Sequence, residues 1–181
     1  MTEAKDLVRP LLRTRQVRDF TDEPVSDSVL AALAEVARWT GSSRNEQPWQ
    51  FIVIRDGSTL RRILEIGIPE TRPFRTATAA IATVLPADPA REVQDAYDDG
   101  RVAERLLVAA TLLDLGAGIA WIRPDVREAI GALLHLPRDR FIRSMVAFGH
   151  PSEMGRRPKS KPGKARLPIE QVLLEERWPP S

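Results

Sequence analysis

The sequence predicts an α+β fold in which a sheet of four strands is packed by helices. Short apolar runs bounded by turn residues recur four times along the chain, and such runs are typical of buried strands. Segments with apolar residues at helical spacing stand between them. The 181 residues, 43% of them hydrophobic, contain neither an internal repeat nor a linker. We therefore expect a single domain over residues 1–181.

The first half of the chain predicts a helix, a strand, a second helix and a second strand. Ser26 suits the N-cap of the first helix because its hydroxyl can accept a hydrogen bond from a free amide of the first turn. Residues 68–76 contain two prolines and little periodicity, so we expect a loop there that could lie over a site. The predicted elements are a helix at 27–39, a strand at 51–54, a helix at 58–67 and a strand at 78–85.

The second half continues this alternation and then changes character. A long helix follows the acidic stretch 86–99, which we interpret as a hydrated surface. Gly116 and Gly118 are expected to end this helix, because a dinucleotide-binding turn would open a helix instead. Residues 151–181 are rich in proline and cations and predict an extended tail that lies on a folded body. The remaining elements are a strand at 119–122, a helix from 125 and a strand at 145–148.

Composition argues against several classes of site. The chain has no cysteine, so it can hold neither a disulfide nor a thiolate metal site nor a cysteine nucleophile. His135 and His150 lack metal-ligand spacing with a carboxylate. No segment has the order of a signal peptide or the roughly 20 apolar residues of a bilayer span. We therefore expect a cytoplasmic protein with no membrane partner and no bound metal.

Three segments far apart in the chain carry groups that suit a polar, anionic ligand. The first is Arg15-Gln16-Val17-Arg18-Asp19-Phe20, whose guanidinium groups can bind a phosphate. The second, at 42–49, reads Ser-Ser-Arg-Asn-Glu-Gln-Pro-Trp, and its hydroxyl and amide groups suit a ligand that offers both donors and acceptors. The third, Lys164-Ala165-Arg166-Leu167-Pro168, adds two further cations.

Together these segments resemble the flavin mononucleotide (FMN) site of the nitroreductase family. The family patterns Arg-Arg-Ser-x-Arg-x-Phe, Pro-Ser-x-x-Asn-x-Gln-Pro-Trp and Lys-x-Arg-x-Pro align with them. Thr14 stands at the first arginine of the first pattern, and Gly41 stands at the proline of the second. The resemblance implies a mainly antiparallel sheet and a set of FMN contacts. The implied contacts are Arg15, Gln16, Arg18, Ser42, Ser43, Asn45, Gln47, Gly118, Ile119, Lys164 and Arg166.

The resemblance also implies an oxidoreductase that needs no catalytic side chain. FMN would accept a hydride from NADH or NADPH and pass it to an electron-poor acceptor such as a nitroaromatic or a quinone. An intertwined homodimer is implied, with FMN at the subunit interface, the cations from one protomer and the Ser-Asn loop from the other.

Three alternatives stay open at this point. Related flavin chemistry, such as dehalogenation, flavin fragmentation or the use of a deazaflavin, would keep the enzyme and change the reaction. A flavin-binding or storage protein would bind FMN without turnover. A nucleic-acid-binding module is the third, although the basic segment 156–166 lacks aromatic residues for base stacking and we expect no nucleic acid partner.

Overall fold

The computed structural model describes residues 3–158, 160 and 166–178. Its four strands form one antiparallel sheet in the order β1-β2-β4-β3. Helices pack on this sheet, so the predicted α+β fold with a mainly antiparallel sheet is confirmed. The strands are β1 (Gln50–Ile54), β2 (Ala79–Pro86), β3 (Gly116–Trp121) and β4 (Arg140–Gly149).

The helices begin at caps that the sequence supplies. Ser26 caps the first long helix, as predicted, by accepting a hydrogen bond from the Val29 amide at 3.4 Å. Asp56 caps the next one by accepting from the Thr59 amide at 2.7 Å. The described α-helices are α1 (Ala4–Leu7), α2 (Arg9–Arg13), α3 (Asp27–Arg38), α4 (Gly57–Gly67), α5 (Glu92–Leu112), α6 (Arg127–Leu133) and α7 (Glu153–Arg156).

Both faces of the sheet are covered, which explains why its strands read as nearly continuous apolar runs. One face packs on α3 and α5, and the other packs on α4 and α6. Successive residues of a strand point to opposite faces, so Ile81 joins the first core and Ala82 joins the second. Val17, Phe20 and Phe74 anchor two further segments in the second core.

The expectation that Gly116 and Gly118 end a helix is wrong. Helix α5 already ends at Leu112, and Asp114 then takes a left-handed φ of 55° that turns the chain into β3. Both glycines lie inside this strand. A Cβ on Gly118 would lie 2.5 Å from the carbonyl oxygen of Val17, so the glycine is needed for close packing against another segment.

The interpretation of residues 86–99 as a hydrated surface is also wrong in part. Asp95, Asp98 and Asp99 are buried on the inner side of α5. Their hydrogen-bond donors are, in the same order, the guanidinium of Arg91, the backbone amide of Ser43 and the hydroxyl of Ser144. Burial raises the pKa of the Asp99 carboxyl to about 6.

The described part of the tail, residues 166–178, contains the short 3-10 helix Ile169–Gln171. Large apolar side chains along it are exposed in the single chain: Leu167, Ile169, Val172, Leu173, Leu174 and Trp178. Among all described residues, no helix combines the length and the apolar character needed to cross a bilayer.

Candidate functional site

An open cavity of about 470 Å³ lies beside β3. Its walls come from the N-terminal segment, from the segment between α4 and β2, and from β3 itself. Arg18 and Ile119, two of the predicted FMN contacts, are among its lining residues, so groups from distant parts of the sequence meet there. The full lining is Arg18, Asp19, Pro69, Glu70, Arg72, Pro73, Arg75, Ile119 and Trp121.

Gln16 connects the predicted contacts on the two sides of this cavity. Its side-chain Oε1 accepts a hydrogen bond from Nη2 of Arg18 at 2.7 Å and another from the backbone amide of Ile119 at 3.3 Å. Between them, the Val17 amide donates to the carbonyl of Ala117 at 2.7 Å. The N-terminal segment therefore runs directly along β3, and Gly118 permits the close approach. Four predicted contact residues are brought together in this way: Gln16, Arg18, Gly118 and Ile119.

Arg15 lies in different surroundings. Its Nη2 donates to the backbone carbonyls of Gly155 and Arg156 at 2.8 and 2.9 Å. These carbonyls belong to the last residues of α7, where the helix leaves such groups without an internal partner. Arg15 thus fastens the N-terminal segment to the start of the tail and does not line the cavity at Arg18. Its contact with FMN remains a prediction.

The loop from Ser42 to Gln47 has a well-defined backbone. The amide of Gln47 donates to the hydroxyl of Ser42 at 2.9 Å and closes the loop. The Gln47 side-chain amide donates to Asn45 Oδ1 at 3.3 Å, and the Ser43 amide is tied to Asp98 of α5 at 3.1 Å. Positive φ values of 51°, 57° and 48° occur at Arg44, Asn45 and Gln47.

Within one protomer, this loop is separate from the cavity at Arg18. Neither its serines nor its amide side chains are among the residues that line that cavity in the described chain. Ser43 instead borders a groove with Tyr97 and Arg101 of α5, and Gln47 borders another with Arg91. The cavity contacts and the loop contacts therefore form two separate groups on one chain.

The third predicted segment is described in part. Lys164 lies outside the described residues. Arg166 is described and exposed at the start of the apolar part of the tail. Convergence of these two cations with Arg18 stays a prediction.

Sequence reasoning expected a loop at 68–76 but did not identify the cavity-lining guanidinium groups within it. Arg72 and Arg75 are the ends of a 3-10 helix, Arg72–Arg75. The spacing of two arginines three residues apart was the signal that could have found them, since such residues share one side of a 3-10 helix. The cavity contains basic, acidic and aromatic side chains, which can bind and orient an anionic, planar molecule. Redox chemistry in this cavity would require a bound cofactor.

Comparison with known proteins finds relatives in sequence and in structure. The family model described as "Nitroreductase family" matches residues 11–84, a range that includes the Arg18 segment, the Ser42–Gln47 loop and the 68–76 segment. One solved structure is that of a protein from Desulfovibrio desulfuricans, assigned as a nitroreductase, in complex with FMN. Its sequence is 30% identical to this chain. It superposes with a TM-score of 0.79 and covers 98% of this chain and 100% of that chain.

Two relatives match over most of their lengths. The FMN reductase (NAD(P)H) of Bacillus subtilis is 29% identical over 194 residues, covering 96% of this chain and 74% of the relative. The oxygen-insensitive NADPH nitroreductase of Salmonella typhimurium is 33% identical over 183 residues, covering 92% of this chain and 72% of the relative. An identity of one third across nearly all of one chain and most of the other, on a shared fold, means that this chain belongs to the nitroreductase family.

Proposed function

We propose that this protein is an FMN-dependent oxidoreductase that takes a hydride from NADH or NADPH and delivers it to a small electron-poor acceptor, such as a nitroaromatic or a quinone. Family membership supports the reaction class. Relatives named as an NADPH nitroreductase and an FMN reductase support the reductant and the cofactor, as does the FMN complex of the 30% identical structure. The structural observation that carries the proposal is the cavity bounded by Arg18 and Ile119.

The cavity fits FMN in size and in chemistry. Its volume of about 470 Å³ lies in the range of about 300–1,000 Å³ that is usual for small-molecule sites. Arg18 contributes a guanidinium group to its wall, which suits a ligand with a phosphate and with ring oxygens. Trp121 is 43% exposed at the same cavity and offers an apolar surface to a flat ring.

The residues of this chain bind and orient the cofactor. Gln16 accepts a hydrogen bond from the guanidinium of Arg18 at 2.7 Å. Because this bond already restricts the Arg18 side chain at the cavity, the side chain loses less conformational freedom when a ligand binds. A fixed guanidinium in this position stabilises negative charge on a bound molecule. When FMN is bound, it supplies the hydride chemistry, and the protein supplies position, hydrogen bonding and charge.

The active form in this proposal is a homodimer whose FMN sites are shared between subunits. Supporting evidence is the separation, within one protomer, of the Arg18 cavity from the Ser42–Gln47 loop. A second copy that presents its loop to the cavity would complete each site. Exposed apolar side chains at both ends of the chain, including Leu12 at 71% and Trp178 at 85%, also support burial against a partner. We place this reaction in the cytoplasm, where NADH and NADPH are produced.

Reconstitution tests the proposal directly. Purified protein mixed with FMN and freed of unbound flavin should be yellow and hold one FMN per chain. Anaerobic NADH or NADPH should bleach the flavin, and a quinone should restore its absorbance. Sedimentation at equilibrium should give twice the chain mass. Failure to take up FMN would refute the proposal, whereas FMN uptake without reduction by either nicotinamide would favour the storage alternative.

A further inference from the structure

Two guanidinium groups on the cavity wall have no role in the predicted FMN contacts. Arg72 and Arg75 are the first and last residues of one 3-10 helix. Because such a helix has three residues per turn, residues i and i+3 lie on the same side. Both arginines line the cavity, while Phe74 between them is buried in the second core.

Positive charge in this cavity is not balanced by its own acids. Three arginines and two carboxylates line it. The carboxylate of Glu70 already accepts from Arg123 at 2.6 Å, and that of Asp19 accepts from the hydroxyl of Ser152. Arg72 Nε donates to the carbonyl of Pro69 at 3.1 Å. Among the described residues, no carboxylate pairs with Arg72 or Arg75.

The backbone that carries these arginines is held at both ends. The hydroxyl of Thr71 is buried and donates to the carbonyl of Leu64 at 2.9 Å. At the other end, the hydroxyl of Thr76 accepts from the amide of Phe20 at 3.0 Å. An anion that binds here therefore has to order two side chains and not a whole loop, which lowers the entropy cost of binding.

We propose that Arg72 and Arg75 form an anion subsite that selects molecules bearing a phosphate, sulfonate or carboxylate group for the flavin site. The inference rests on the proposed function, because the subsite lies on the same cavity as the flavin contacts. A planar guanidinium group can bind two oxygens of such an anion at once through two N–H groups. The anion has two sources: the 2′-phosphate of NADPH, which NADH lacks, or an acidic group on the acceptor.

The test compares the FMN-loaded wild type with an Arg72→Gln/Arg75→Gln double variant. Arg62→Gln is the matched control, since Arg62 is an exposed arginine on the neighbouring helix α4 and lies outside the cavity lining. The first pair of substrates is NADPH and NADH with menadione as a neutral acceptor. The second pair is 4-nitrobenzoate and nitrobenzene with NADH as reductant.

We expect the double variant to lose at least about tenfold in kcat/KM for the anionic member of one pair, with less than about twofold change for its counterpart. Loss confined to NADPH assigns the subsite to the reductant, and loss confined to 4-nitrobenzoate assigns it to the acceptor. Equal changes within both pairs would overturn the inference. So would an equal loss of selectivity in Arg62→Gln, or weaker FMN binding with unchanged selectivity.

A measurement without flavin separates this inference from the proposed function. Calorimetric titration of the FMN-free protein with NADPH and with 4-nitrobenzoate measures anion binding without flavin chemistry, and comparison with the double variant isolates the part that depends on Arg72 and Arg75. If the wild type binds no FMN, the proposed function fails. In that case, anion binding that is lost in the double variant still supports the subsite, and absence of binding overturns it.

Discussion

Substitution of Gly118 by alanine tests the close packing that builds the cavity. The added Cβ would lie 2.5 Å from the Val17 carbonyl oxygen and 3.2 Å from Cγ of Arg18. A backbone oxygen cannot rotate out of the way, so the N-terminal segment has to move off β3. Overpacking of this kind costs about 1–3 kcal/mol. Weakening of the bond from Val17 to Ala117 and of the bond from Ile119 to Gln16 adds about 1 kcal/mol each.

We therefore expect Gly118→Ala to lower the free energy of unfolding by about 3–5 kcal/mol. FMN affinity should fall as well, because Arg18 moves with the displaced segment. Urea unfolding at fixed protein concentration and fluorescence titration with FMN measure the two effects. Gly131→Ala is the control, since its Cβ would meet Leu136 at an ordinary 3.8 Å. Unchanged unfolding and FMN affinity in Gly118→Ala would refute the reasoning.

Three further predictions concern other parts of the molecule. Burial raises the pKa of Asp99 from 3.8 to about 6. As pH rises, the unfolded chain therefore loses the Asp99 proton at a lower pH than the folded chain does, and the free energy of unfolding should fall between about pH 4 and 6. The loss is up to about 3 kcal/mol, and urea unfolding of Asp99→Asn against pH should lack it; matching wild-type and variant profiles would contradict this. Arg15→Ala should lower the free energy of unfolding by about 1–3 kcal/mol and speed amide hydrogen exchange at 153–157, whereas unaltered exchange there would argue against the link from Arg15 to α7. Ser42→Ala should weaken FMN binding with no more than about 1 kcal/mol loss of stability, because it removes the bond that closes the loop; wild-type FMN affinity would count against a role for this loop.

Fold class and most element positions could be predicted from the sequence because they depend on local patterns. The Ser26 cap and the apolar run in β1 act within a few residues of the chain. The role of Gly118 could not be predicted in the same way, since its partner is the carbonyl of Val17, about a hundred residues away in sequence. The buried carboxyl of Asp99 likewise accepts a hydrogen bond from Ser144, which lies on a different element.

The candidate site was predictable to a similar extent. Motif resemblance placed Gln16, Arg18 and Ile119 together, and their hydrogen bonds agree with that grouping. Arg15 and Arg18 are both arginines of the first motif. Arg15 nevertheless binds the carbonyls of α7, because that helix lies beside it in the fold. The alignment of Arg72 with Arg75 depends on a 3-10 helix that Phe74 anchors in the core, and residue composition alone does not specify it.

Subunit complementation tests the central claim, a flavin site built from the Arg18 cavity of one protomer and the Ser42–Gln47 loop of another. Arg18→Ala and Asn45→Ala proteins are unfolded, mixed in equal amounts and refolded together with FMN. The FMN concentration is one at which neither variant alone retains the cofactor. Random pairing makes half of the dimers mixed, and each mixed dimer has one intact site. Bound FMN in the mixture should therefore reach about a quarter of the wild-type amount. A mixture that retains no more FMN than the separate variants would contradict the shared site.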